Sequence, residues 1–290
     1  MMKKGGDESP SEVEDVEEME CDWTEMMEFY KQAAESYSDM KDVKEAAGAY
    51  KKLGYVHAQF AETVETAAEN IEHTRNAIHV YRKAATLYNE IGDKQEELEC
   101  IGEASLFNGF LAGSNVESRK AFSKSHDHFI ESSELYSKEN DREGQARTLS
   151  RAAMVSFYLV SQSSDKQEIE QLIQEGITTA GESWELSKNV GNAQSLAESL
   201  YAESWLCWAH MVLAPFRWDE NWKEYNRKLL LKSEESIEIT RDCDNPLFIG
   251  MAHLVTGLLY YFFGFHFIKD EREQRVYTEK GFQLLEKALV

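Results

Sequence analysis

Proline is almost missing from this chain, with three in 290 residues, and glycine is held to sixteen. Folds built from many short strands use both residues at their turns, so this scarcity argues against a β-rich architecture. Cysteine is equally sparse. Cys21, Cys100, Cys207 and Cys243 stand far apart with no C-x-x-C pair, which gives no support to a disulfide framework or a zinc site and fits a reducing, cytoplasmic setting. Positive charge is in deficit: 31 Lys and Arg face 53 Asp and Glu, a net charge of -22. Such a surface repels a phosphate backbone, and no basic run interleaved with aromatics offsets it, so no nucleic-acid partner is expected. No P-loop, G-x-G-x-x-G, G-x-S-x-G or H-E-x-x-H occurs, and nothing marks a general acid or base. Catalysis and a bound cofactor are therefore not expected. The opening Met1 to Gly6 has two lysines but no apolar stretch after it, so no signal peptide is expected either.

What remains is rich in Ala, Glu, Leu, Lys and Ser, the composition of an all-α protein. Asp7 to Asp22 carries nine acidic residues and no basic one, and residues 1–22 are read as a disordered acidic tail. Beyond it the chain repeats itself. The anchors Tyr37 to Asp42, Tyr88 to Asp93, Tyr136 to Asp141, Ser187 to Asn192 and Thr240 to Asn245 recur every 48 to 53 residues. Nine residues before each anchor's end stand Ala33, Ala84, Ser132, Ser183 and Ser236; twelve after it stand Gly54, Ser105, Ala153, Ser204 and Gly257. Two columns of small residues are what closely approaching helices demand. Twelve before the anchor, Tyr30, Tyr81 and Phe129 give way to Ala180 and Ser233.

Capping sets the helix boundaries. Each anchor Asp or Asn can accept from the free amides of the next helix, and Asp42 with Glu45 and Asp93 with Glu96 have capping-box spacing. Asn245 precedes Pro246 at the favoured first helical position. Ser114 with Glu117, Asp165 with Glu168 and Asp270 with Glu273 mark second starts, with Asn70 and Asp219 as weaker ones. This predicts about eleven helices of about twenty residues from Trp23 onward, two per repeat of about 51 residues. Ala288 falls in the small column of a sixth copy, so the chain is expected to be the amino-terminal part of something longer, or else to end in a capping helix.

Tyr81 to Asp93 and Leu53-Gly54-Tyr55 resemble tetratricopeptide repeats, in particular the long-helix relatives found in soluble NSF attachment proteins. The resemblance spans roughly residues 24 to 290 and implies a curved, right-handed α-solenoid of about five antiparallel hairpins over residues 23–290. In that family the first helix of each pair lines the concave face. The matching positions lie 9, 13, 16 and 17 residues after each anchor, at Lys51, Tyr55, Gln59, Phe157, Tyr158, Tyr201, Trp205, Trp208, Leu258, Tyr261 and Phe262. These positions imply an aromatic groove for a partner peptide or helix, in a non-catalytic scaffold or adaptor. Two alternatives stay open: a ligand-sensing regulatory domain of a longer signalling protein, and a membrane-associated trafficking adaptor.

Pro246 to Ile268 contains no Asp, Glu, Lys or Arg, enough to span a membrane by length. His253, His266 and the repeat register make it a repeat helix instead, and no membrane span is expected. Trp218 and Trp222 are read as a local staple. His126-Asp127-His128 would place ligands at i and i+2, which point apart on a helix, so no metal is expected there. The many paired glutamates are read as mostly a solvated face.

Overall fold

A computed structural model describes residues 12–213, 220–241 and 246–288. The protein is all-α. Its helices are α1 (Glu12–Asp39), α2 (Val43–Thr63), α3 (Ala67–Glu90), α4 (Lys94–Phe110), α5 (Asn115–Lys138), α6 (Arg142–Gln162), α7 (Lys166–Val190), α8 (Ala193–Leu213), α9 (Glu220–Thr240), α10 (Pro246–Phe267) and α11 (Glu271–Ala288). No strand occurs among the described residues. The chain divides into two compact units, Met1–Phe107 and Asn108–Val290, with the boundary inside α4.

The anchors act as caps. Asp42 accepts from the amide of Glu45 at 3.3 Å, Asp93 from Glu96 at 3.3 Å, Asp141 from Gly144 at 2.9 Å and Asn192 from Ser195 at 2.8 Å. The second starts behave alike: Ser114 accepts from Glu117, Asp165 from Glu168 and Asp270 from Glu273. Each bond satisfies one of the orphan amides of a first turn. Asn245 and Asp219 lie outside the described residues.

Two boundaries differ from the sequence reading. Helix α1 begins at Glu12, not Trp23. The segment 12–22 has neither Pro nor Gly and is built largely of strong helix formers, so charge alone did not decide its state. Helix α3 begins at Ala67 with Thr66 as its cap, not at Asn70. Thr66 accepts from the Glu69 amide at 3.2 Å while its hydroxyl donates to the Glu69 carboxylate, which holds both side chains at the helix start. The Asn70 side chain instead donates to the Ala61 carbonyl at 2.5 Å and ties α3 to the end of α2.

In the first unit α2 packs on α1 and α3. The small column of α2 receives the aromatic column of α3: a Cβ added at Gly54 would lie 3.0 Å from the Tyr81 ring. In the second unit α6, α8 and α10 stack in sequence, while α5 and α7 pack on α6, α7 and α9 on α8, and α9 and α11 on α10. Where the aromatic column fails, the small residues meet directly, and Ala153, Ala180 and Ala202 share one buried cluster. Serine in the small column also bonds across helices. Ser183 donates to the Ala146 carbonyl at 2.7 Å, and Ser236 accepts from the Trp184 indole at 2.9 Å. The main core of this unit joins Ile173, Trp184, Leu196, Leu206, Leu229 and Phe263, among others.

Candidate functional site

The predicted recognition residues separate into three groups. Lys51, Tyr55 and Gln59 lie in the first unit, on α2, and all three are half-buried. Lys51 is engaged by carboxylates. Its ammonium lies 2.7 Å from Glu96 and 2.8 Å from Glu99 of α4, and Glu99 is 2 % exposed. This is a strut between successive repeats, and a partner could reach Lys51 only by competing with a buried carboxylate.

The second unit repeats the device without the lysine. Glu198 occupies the register of Glu99, six residues after its anchor, and accepts from Ser150 at 3.1 Å, the residue in the register of Lys51. Arg151 approaches the same carboxylate at 3.9 Å. Glu203, also buried, pairs with Lys232 at 2.5 Å and accepts from the Tyr225 hydroxyl. Glu99, Glu198 and Glu203 are buried exceptions to the mostly solvated acidic face that the sequence predicts. The signal that could have found them is the shared register of Glu99 and Glu198, each opposite a hydrogen-bond donor one repeat earlier.

The second group is a ladder of rings along α4, α5, α6 and α8, all within the second unit. Phe110 meets Phe122 at 5.4 Å and Tyr158 at 4.9 Å between centroids. Tyr158 contacts Phe157 at 5.6 Å, and Phe157 contacts Trp205 at 5.5 Å. Trp205 then packs edge-on against Tyr201 at 5.9 Å and Trp208 at 5.4 Å. Centroid separations of this size are favourable for offset and T-shaped pairs. The predicted members Tyr158, Tyr201, Trp205 and Trp208 are half-buried, and Phe110 is 47 % exposed. Rings that brace one another while keeping an open side form a rigid apolar floor. Residues 152–164 and 204–213 contribute no Asp, Glu, Lys or Arg to it. The sequence reading missed Phe110, although it stands seventeen residues after its anchor, as Tyr158 and Phe262 do. It also missed Phe122, whose role depends on α5 crossing α6.

The third group sits on α10 and α11. Leu258 and Phe262 are half-buried and Tyr261 is exposed. Tyr261 stacks on Phe265 at 6.3 Å and touches Phe282 of α11 at 5.9 Å. Helix α10 is long and apolar enough by composition to cross a membrane, yet half of that stretch is buried within the protein. Its inner face packs tightly on α11, for a Cβ at Gly257 would lie 2.8 Å from the Gly281 carbonyl and one at Gly281 2.9 Å from the Gly257 carbonyl. Between α9, α10 and α11 lies a cleft of about 370 Å³, lined by the apolar Ile237, Ile249 and Leu284 and by the charged Glu234, Glu238, Arg241, Lys280 and Lys287. Glu234 on its rim is bonded to Lys280 at 2.6 Å and to the Tyr260 hydroxyl at 2.5 Å.

Trp222 stacks on His210 at 3.6 Å, as a staple of α9 onto α8; Trp218 lies outside the described residues. No group of three or more His, Cys, Asp or Glu is placed to hold a metal among the described residues. Cys100 and Cys207 are free and buried, and burial pushes both thiols well above the ordinary range.

No protein-family model matches the chain, and no curated protein sequence matches it. Among solved structures, the "DHF119 filament" is 15% identical, with a TM-score of 0.38 over 69% of this chain and 97% of that one. A "circular tandem repeat protein with novel repeat topology and enhanced subunit contact surfaces" is 13% identical, with a TM-score of 0.38 over 94% of this chain and 64% of that one. BtubC from P. vanneervenii is 11% identical, with a TM-score of 0.44 over 94% of this chain and 89% of that one. Likenesses this distant carry no argument about what the chain binds.

Proposed function

We propose that this protein is a non-catalytic scaffold or adaptor of the tetratricopeptide-like kind, similar to the long-helix soluble NSF attachment proteins, working in the cytoplasm. It recognises an apolar segment of another protein, a peptide or an amphipathic helix. The observation that carries the reading is the ring ladder from Phe110 to Trp208, flanked by the uncharged segments 152–164 and 204–213 in a chain of net charge -22. Half-exposed aromatic rings held in fixed positions pay little ordering entropy on binding and dominate interface energies. The acidic remainder of the surface favours a neutral or basic partner.

A second reading rests on the cleft between α9 and α11, whose size suits a small ligand and would make the chain a sensor. Capture from native lysate tests the first against the second. The intact chain is compared with Trp205→Ala/Trp208→Ala, both shown folded by circular dichroism. A partner held by the parent and lost by the variant supports recognition by the floor. Equal retention by both sinks it, and no partner at all favours the sensor.

A further inference from the structure

Helix α10 presents a second apolar pattern, distinct in period from the repeat register. Leu247, Met251, Leu254, Leu258, Tyr261 and Phe265 follow one another at spacings of 4, 3, 4, 3 and 4. This is the hydrophobic repeat of a helix that packs along its length against another helix. None of the six is buried. Leu247 is 43% exposed, Leu254 38%, Tyr261 36% and Phe265 61%, with Met251 and Leu258 half-buried. The opposite face, from Ala252 through Val255, Thr256 and Leu259 to Phe263, is buried in the protein. The outward face of α10 therefore offers about five turns of coiled-coil seam with no charged residue in it.

We propose that this seam pairs with the same seam of a second copy of the chain. The charge distribution selects that occupant. A two-fold contact sets a surface against itself, so any net charge on it is repelled by its twin. A chain of net charge -22 meets this penalty over most of its surface, but 246–268 has no charged residue and the five cations and five acids of 269–288 balance. A basic partner gains nothing from an uncharged stripe, whereas an identical stripe fits it in length, period and character. Tyr261 and Phe265, stacked on each other and braced by Phe282, are pre-positioned to interleave with their twins. The proposal rests on reading the α6, α8 and α10 face as a recognition surface and assigns its last helix to self-association.

Sedimentation velocity of the full chain, from sub-micromolar to near-millimolar concentration, tests it beside Leu254→Glu/Phe265→Glu. Both side chains point outward, so circular dichroism should be unchanged, while dimerisation should weaken roughly a hundredfold because the contact would bury like charges. Leu254 and Leu258 straddle the seam's centre, so a parallel pair sets Leu258 on its twin and an antiparallel pair sets it on Leu254 of the second copy. In a Cys21→Ser/Cys243→Ser background, Leu258→Cys for the parallel pair, or Leu254→Cys/Leu258→Cys for the antiparallel one, should therefore form a disulfide-linked dimer under mild oxidation, and the background alone should not. A parent that stays monomeric, or a dimer untouched by the two glutamates, overturns the proposal. So does a monomer that floats with neutral lipid vesicles, which would give the seam to a bilayer. Failure of the floor reading is separable, because Trp205→Ala/Trp208→Ala should lose the other partner and still dimerise.

Discussion

The same register position does different work in the two units. Nine residues after its anchor the first unit places Lys51, which clasps two carboxylates of α4. The second unit places Ser150, Tyr201 and Leu254 there, the first a neutral donor to Glu198 and the others members of an apolar face. One scaffold thus serves two kinds of surface: a polar one tied internally by charge, and an uncharged one left open. A repeat fold permits this because each hairpin needs only its small columns and caps, which leaves the outward register positions free to vary.

Removing the clasp should give the largest effect. Lys51→Met removes the ammonium that lies 2.8 Å from the buried Glu99 carboxylate, and the expected loss is about 3 kcal/mol, the usual cost of breaking a buried ion pair on one side. Urea unfolding measures it. Adding Glu99→Leu should recover most of the loss; if the double variant is as unstable as the single one, the pair is not the strut described here. Next comes the tight crossing in the second unit. Gly257→Ala drives a methyl group to 2.8 Å from a backbone carbonyl and should cost about 2 kcal/mol, as overpacking of a core does. A neutral Gly257→Ala would show that α10 and α11 can separate freely. Smaller still is Trp208→Ala on the open floor. Its ring is only half-buried, so about 1–2 kcal/mol of stability should be lost, with a disproportionate loss of partner binding. Unfolding and capture measured on the same variant check both halves of that statement.

Much of this architecture was legible because its determinants are local. A cap needs an acceptor and an amide three residues on, so Asp42, Asp93, Asp141 and Asn192 announced the helix starts. The columns that hold helices together are fixed offsets from those anchors, and Gly54 and Ser183 could be named without coordinates. Pairings across repeats were not legible. Nothing local joins Lys51 to Glu99 or Lys232 to Glu203, and an acidic residue on a helix reads as solvated until its partner is known. Phe122 escaped for the same reason, since only the crossing of α5 and α6 brings it onto Tyr158. Thr66 was overlooked because Asn70 is the stronger cap by residue type, but its amide was already committed to the end of α2.

The last contrast concerns protons. In the first unit His57 of α2 and His73 of α3 meet with their Nδ1 atoms 3.1 Å apart, and Phe60 stands edge-on to His73. The ring centroids are 5.4 Å apart, so each Nδ1 points at the other, the alignment of an N–H···N hydrogen bond in which one ring donates and the other accepts. Protonating both rings removes the acceptor. Burial, and secondarily the neighbouring His73, hold His57 down to about 4 from its ordinary 6.5. The unfolded chain therefore takes up a proton that the folded one refuses between those values. The contribution of this pair is intact above about pH 6.5 and is lost as the pH falls toward 4. His57→Gln should lower stability little at pH 7 and should flatten the fall in urea midpoint between pH 7 and pH 5 relative to the parent. The variant Trp208→Ala in the second unit should keep the parent's pH slope. If His57→Gln and the parent lose stability in parallel, acid sensitivity belongs to the carboxylate struts and the histidine pair is only packing.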